Sequence, residues 1–81
     1  MPSKMFYATI GAELIRICRA TSGYNEFIIS TKSLLNRMRN QGSSIHCVKR
    51  ILMNTMNRHW KTFSKYNLSI TDIINNLLPH N

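Results

Sequence analysis

The sequence predicts an all-α protein, a small bundle of three main helices followed by a short C-terminal helix. Apolar residues recur every three or four positions in four separate segments, which is the spacing of one face of an α-helix. Short breaks separate these segments, around residues 21–23, 42–44 and 66–68. The 81 residues suffice for one small domain, whose ordered part we expect over about residues 8–78.

The first helix is predicted to start at Phe6 or Ala8 and to end at Ala20. Its buried face is expected to be four apolar residues at helical spacing: Phe6, Ile10, Leu14 and Ile17. Gly11 weakens the prediction near the N-terminus, because glycine costs a helix about 1 kcal/mol relative to alanine.

The centre of the chain is predicted to be two long helices, over residues 25–41 and 45–63, joined by Gly42-Ser43-Ser44. A helix, a tight turn and a second helix in this order predict a helix-turn-helix. The apolar stripe of the second helix is Tyr24, Phe27, Ile28, Thr31, Leu34, Leu35 and Met38. The stripe of the third is Ile45, Val48, Ile51, Leu52, Met56, His59, Trp60 and Phe63.

The residues at the ends of these helices suit helix caps. Asn25 or Ser22 is predicted to cap the second helix, and Ser43 or Ser44 the third, because serine and asparagine side chains accept hydrogen bonds from free backbone N–H groups. Gly42 is predicted to adopt the left-handed conformation that ends many helices.

The last helix is predicted over residues 70–78. Ser69-Ile70-Thr71-Asp72 matches a capping box, although aspartate reaches back less well than glutamate. Pro79 would stop the helix because proline cannot continue it.

The charge is strongly unbalanced, with eleven Lys and Arg against three acids and a net charge of +8. Such a balance favours a polyanionic partner, either nucleic acid or an anionic membrane surface. A solvated basic surface is the plainer interpretation, but a merely soluble surface normally intersperses both signs of charge.

The predicted binding residues lie along the third helix. Arginine and lysine hold phosphates, and asparagine can read an adenine edge. The expected phosphate contacts are Lys49, Arg50, Arg58, Lys61 and Lys65. Asn54 and Asn57 are the possible base readers. A second tier of candidate binding residues consists of Arg37, Arg39, Arg16 and Arg19. Trp60 and Phe63 could stack on unpaired bases, but both lie on the apolar stripe, so core packing is the favoured expectation.

Catalysis, metals and cofactors are not expected. The adjacent His46 and Cys47 point about 100° apart on a helix, so they cannot face each other as base and nucleophile. The cysteines and histidines lack the spacing of a zinc site, so Cys18 and Cys47 are expected to be reduced, packed thiols. No run reaches the roughly 18 apolar residues of a membrane span, and no secretion signal is evident. An intracellular location, nuclear or cytoplasmic, is therefore expected.

Several short stretches, in order, carry a family resemblance: Ala12-Glu13-Leu14-Ile15-Arg16-Ile17-Cys18-Arg19-Ala20-Thr21-Ser22, Tyr24-Asn25-Glu26-Phe27, Leu34-Leu35-Asn36-Arg37-Met38, Asn40-Gln41-Gly42, Arg58-His59-Trp60 and Phe63-Ser64-Lys65-Tyr66. They resemble the helix-turn-helix segment that follows the reverse transcriptase domain in Penelope-like and related animal retroelements. After the turn glycine that family usually has an aromatic residue and often a proline, where this chain has Ser43 and Ser44.

The resemblance implies an accessory segment that contacts nucleic acid and helps to hold template or primer against the polymerase domain of a parent retroelement protein. It implies neither polymerase nor nuclease activity, because Asp72 is the single aspartate and a polymerase site needs a pair. The sequence therefore predicts a module that binds DNA or RNA and is not an enzyme. Alternatives are a structural protein-interaction module or inert fragment of a larger retroelement protein, and a peptide that folds on anionic membranes.

Overall fold

The computed structural model describes residues 4–78, and all regular structure within that range is helical. The helices are α1 (Lys4–Ala20), α2 (Tyr24–Asn40), α3 (Ile45–Arg58), α4 (Trp60–Phe63) and α5 (Ile70–Leu77). A 3₁₀ turn over Ser64–Tyr66 follows α4 directly. The predicted all-α bundle is confirmed, whereas the role assigned to Pro79 lies outside the described residues.

The apolar stripe predicted for α1 faces the core. Ile10, Leu14 and Ile17 are buried and Phe6 packs against them. The helix begins at Lys4, before the predicted start, because the first turn of a helix needs no buried residue and so precedes the stripe. Cys18 is buried as a free thiol, as expected.

The turn between α2 and α3 is a Schellman motif. The N–H of Ser43 donates to the carbonyl of Met38 at 3.1 Å, and the N–H of Gly42 donates to that of Arg39 at 3.0 Å. Gly42 has φ +98°, so the predicted left-handed glycine is confirmed. At the other end of α2 the predicted cap is wrong, because the helix begins at Tyr24 after Gly23 and no side chain caps it.

The third helix starts as predicted and ends early. The Ser44 hydroxyl accepts a hydrogen bond from the N–H of Cys47 at 3.1 Å, which confirms the serine cap. The predicted continuous helix over residues 45–63 is wrong, because His59 leaves the helical conformation with φ −118° and ψ 37°. Asn57 and His59 are weak helix formers, and the change of direction lets Phe63 enter the core.

An aromatic cluster lies beyond the break at His59. The Phe63 ring lies 6.0 Å from Phe27, which in turn lies 5.0 Å from Tyr66. Tyr24 packs edge-on against Tyr66, with the ring centres 5.3 Å apart. These contacts join the second half of the chain to α2, and aromatic side chains bury the largest apolar areas.

The last helix closes the bundle against α2 and α3. Its buried residues are Ile73, Ile74 and Leu77, and its start is capped by the Ser69 hydroxyl, which accepts from the N–H of Asp72 at 3.1 Å. The Asn76 amide donates to the Tyr24 hydroxyl at 2.8 Å, which ties α5 to the start of α2. The radius of gyration is 11.8 Å, close to the roughly 12 Å expected of a folded domain of this length.

Candidate nucleic-acid interface

Three cations are exposed on α3, and this helix contains no carboxylate. Val48, Leu52 and Met56 lie four residues apart and are buried, so the opposite side of the helix faces solvent. We call the exposed surface of α3 the basic face; its members are His46, Lys49, Arg50, Asn54, Asn57 and Arg58. Lys49 lies at its edge, pointing about 180° away from Arg58 around the helix axis. Five of the eleven predicted binding residues belong to it.

No carboxylate offsets the charge of the basic face. Between Glu26 and Asp72 the sequence contains Lys and Arg residues but no Asp or Glu. Within residues 4–78 the single ion pair is the one in which the Arg16 guanidinium contacts the Glu13 carboxylate. The cations of α3 are therefore exposed and uncompensated, which is the condition under which they attract an anionic ligand most strongly.

Lys61 and Lys65 do not lie on α3, because the helix ends at Arg58. Lys61 is exposed on α4, where its ammonium lies 6.0 Å from the centre of the Trp60 ring. Lys65 follows α4, and its ammonium donates to the carbonyl of Thr21 at 2.8 Å and also to the carbonyl of Cys18. The prediction that both lysines lie on the same helix as Lys49 and Arg58 is wrong, and the Lys65 ammonium instead satisfies free carbonyls at the end of α1.

Arg37 and Arg39 lie on different sides of α2, since residues two apart on an α-helix point about 160° apart. Arg37 lines a shallow groove between α1 and α2 together with Glu13 and Arg16. The pKa of Glu13 is lowered mainly by its hydrogen bond with Arg16, and Arg37 lowers it further. Arg39 is exposed on the other side of α2. The two arginines therefore do not share one surface.

A second groove, of about 420 Å³, runs between α1 and α3. Its floor includes Ala8, Gly11 and Ala12, and its α3 wall includes Asn54 and Arg58. The helices approach closely here, since a Cβ on Gly11 would lie 3.2 Å from the Thr55 hydroxyl oxygen. Sequence reasoning missed this groove, although three small residues spaced three and four apart on one helix are a usable signal for such an approach.

The groove has a polar end beside the basic face. The Cys47 thiol contacts the Tyr7 hydroxyl at 3.1 Å, and Arg50 lies close enough to act on that hydroxyl electrostatically. The hydrogen bond with Cys47 raises the pKa of Tyr7, burial raises it further, and Arg50 opposes both. Tyr7 therefore stays protonated at neutral pH and remains a hydrogen-bond donor at this end of the groove.

Trp60 is exposed, against the expectation that it packs in the core. Its side chain is 56% exposed, whereas Phe63 is buried as predicted. The spacing of the two residues suits one face of a continuous helix, so the periodic pattern could not distinguish them. The break at His59 separates them, turning Phe63 inward and Trp60 outward.

Metal-ligating side chains do not cluster in the described residues. No group of three or more His, Cys, Asp or Glu side chains in the described part of the chain could hold a metal ion. His80, one of the histidines weighed as a ligand, lies outside that part. None of the helices over residues 4–78 is long and apolar enough to cross a membrane.

Comparisons with known proteins identify no relative of this chain. No protein-family model, curated protein or solved structure matches this chain.

Proposed function

We propose that this chain binds nucleic acid through the basic face of α3, mainly by phosphate contacts and without catalysis. The observation that carries the proposal is the row of exposed cations on α3 with no carboxylate between Glu26 and Asp72 to offset them. Lys49, Arg50 and Arg58 would hold phosphates, and Asn54 and Asn57, which lie among them, would contact bases.

The spacing of the cations supports contact with an extended polyanion. Arg50 and Arg58 are eight residues apart, which corresponds to about 12 Å along the helix, and they point about 80° apart around its axis. The helix itself is held rigidly, because its other side is buried in the core and the Ser44 hydroxyl caps its start. Side chains on a rigid element lose little conformational freedom on binding compared with those on a mobile loop.

The resemblance described above supports the same class of ligand and suggests a setting for it. We propose that α2, the Gly42 turn and α3 act as the helix-turn-helix, and that in a parent retroelement protein they contact template or primer beside the polymerase domain. A test is to compare an RNA–DNA hybrid with duplex DNA of equal length, because this setting predicts the tighter binding for the hybrid.

The proposal is tested by a salt titration of the purified chain with labelled oligonucleotides. Contacts from Lys49, Arg50, Arg58 and Lys61 to about four phosphates predict a slope of log K against log salt near −4 on duplex DNA. The double variant Arg50→Glu/Arg58→Glu should lose most of the affinity. The matched control is Arg19→Glu/Lys32→Glu, which changes the net charge by the same amount on exposed positions of α1 and α2.

The control separates a specific face from net charge alone. If both double variants weaken binding equally, the basic face of α3 is not the interface. If the wild-type chain binds no oligonucleotide at low salt, the nucleic-acid proposal fails. The rival protein-interaction module then stands, with the basic face packed against an acidic protein surface. Circular dichroism of each variant establishes that the bundle is still folded.

A further inference from the structure

Trp60 is a large apolar side chain on the surface, and no neighbouring residue of the described chain buries it. The residue is 56% exposed, although its neighbour in the predicted stripe, Phe63, is buried. It is the single tryptophan of the chain. Exposing so large an aromatic surface to water costs free energy. A ligand that covers the ring therefore gains binding free energy by removing that surface from water.

The surroundings of Trp60 are cationic. The Lys61 ammonium lies 6.0 Å from the ring centre, and the exposed Arg58 ends α3 two residues earlier. Both cations belong to the long part of the sequence that contains no carboxylate. An aromatic surface with one cation beside it and a second two residues away in the chain suits a ligand with a flat apolar part next to anions, as in a nucleotide within a strand.

We propose that Trp60 is a stacking platform for an unpaired base, so that the ligand of the basic face is single-stranded or looped nucleic acid. This inference rests on the proposed function and specifies its substrate class. In a duplex the bases stack on one another and their flat faces are inaccessible, whereas an unpaired base offers its face to an aromatic side chain. The flanking phosphates then lie within reach of Arg58 and Lys61.

A membrane surface is the other ligand that attracts tryptophan beside basic residues, and the distribution of apolar side chains disfavours it. An interfacial helix needs a continuous apolar side exposed to the lipid. Here the stripes of α3 and α5 are buried apart from Ile45 at the start of α3. The other large exposed apolar residues of the described chain, Ile29 on α2 and Leu68 before α5, lie outside α4. Trp60 is therefore an isolated aromatic surface within a basic one.

Because Trp60 is the single tryptophan, its fluorescence reports directly on the proposed contact. The probes are a twelve-nucleotide oligo(dT), the RNA counterpart oligo(U), an abasic strand with the same number of phosphates, and a fully paired duplex; a length of about twelve lies within common site sizes for single strands. Both base-bearing strands should quench the Trp60 emission and bind about ten-fold more tightly than the abasic strand. Their relative affinities separate DNA from RNA.

Variants at Trp60 test the contact without using its fluorescence, by anisotropy of labelled strands. Trp60→Leu should lower the affinity for the single strands about ten-fold and leave the duplex affinity within about two-fold. Trp60→Phe should retain most of the binding because it keeps a stacking ring. Ile29→Ala, at an apolar residue that is 71% exposed on α2, is the matched control and should change neither affinity.

The outcomes distinguish this inference from the proposed function. If strands and duplex bind equally, Trp60 emission is unchanged and Trp60→Leu has no effect, the stacking platform is overturned while the basic face stands. If no oligonucleotide binds at low salt, both are overturned. If vesicles of anionic phospholipid shift the emission to shorter wavelength while oligonucleotides leave it unchanged, the surface of Trp60 is a membrane contact and the inference is wrong.

Discussion

Thr31 is a polar residue in the apolar stripe of α2, and its hydroxyl is buried without a hydrogen-bond partner in the described structure. A buried hydroxyl that lacks a partner costs about 1–3 kcal/mol. Thr31→Val keeps the shape and removes the hydroxyl, so we expect it to raise the free energy of unfolding by about 1 kcal/mol, measured by urea denaturation.

Thr31→Ser is the control for that substitution. It keeps the hydroxyl and removes a buried methyl group, so it should lower the free energy of unfolding by about 1 kcal/mol. If valine destabilises the bundle as serine does, the Thr31 hydroxyl has a partner in solution, such as a buried water, and the structural reason given for the gain is wrong.

Residue-scale contacts also explain which predicted binding residues are free to bind. Lys49, Arg50 and Arg58 are exposed on α3, but the ammonium of Lys65 is held by carbonyls at the end of α1. The sequence does not distinguish Lys65 from the other cations, because Thr21, whose carbonyl accepts its hydrogen bond, lies more than forty positions away. Only the fold brings those carbonyls beside its ammonium.

At the scale of the elements, the junction between α2 and α3 contains two adjacent serines with opposite roles. The Ser44 hydroxyl caps α3, whereas the Ser43 hydroxyl is buried without a partner. Ser44→Ala should therefore lower the free energy of unfolding by about 1 kcal/mol through loss of the cap. Ser43→Ala should leave it unchanged or raise it by up to about 1 kcal/mol, because a desolvated hydroxyl is removed.

The two variants are matched controls for each other, since they make the same chemical change at neighbouring positions. Denaturation midpoints measured in one buffer are sufficient. If the two variants lose equal stability, both substitutions act by perturbing the whole turn, and loss of the Ser44 cap is not the cause.

At the scale of the whole molecule, the aromatic cluster makes the free energy of unfolding depend on pH in the alkaline range. Burial raises the pKa of Tyr66 to about 12 from its ordinary value of 10.0, although a hydrogen bond with Thr21 opposes the shift. The folded state thus favours the neutral phenol. The stabilisation is complete below pH 10 and is lost as the pH rises through about 12.

The corresponding experiment is urea denaturation at a series of pH values above 9, followed by circular dichroism. Stability of the wild-type chain should fall between about pH 10 and pH 12, and that of Tyr66→Phe should fall less steeply because it has no phenol at this position. The two chains differ only at residue 66, so the difference between the two profiles isolates Tyr66. Parallel profiles would contradict the predicted shift.

The same cluster explains where sequence reasoning about the fold was wrong. The helical class, the start of α3 at Ile45 and the left-handed Gly42 were predicted, because each depends on neighbours within a few residues. The end of α3 was not, because apolar spacing continues from Met56 to Phe63 through the break at His59. The contact between Phe63 and Phe27, far apart in the sequence, accompanies that break.

The sequence by itself determined the helical class, the apolar stripes of the helices and the excess of positive charge, since these follow from local periodicity and composition. Only the tertiary structure decided which charges share a surface, that Lys65 is engaged and Trp60 exposed, and that α1 and α3 leave a groove between them. The physical reason is that these features depend on contacts between residues distant in the chain, which a periodic pattern does not specify.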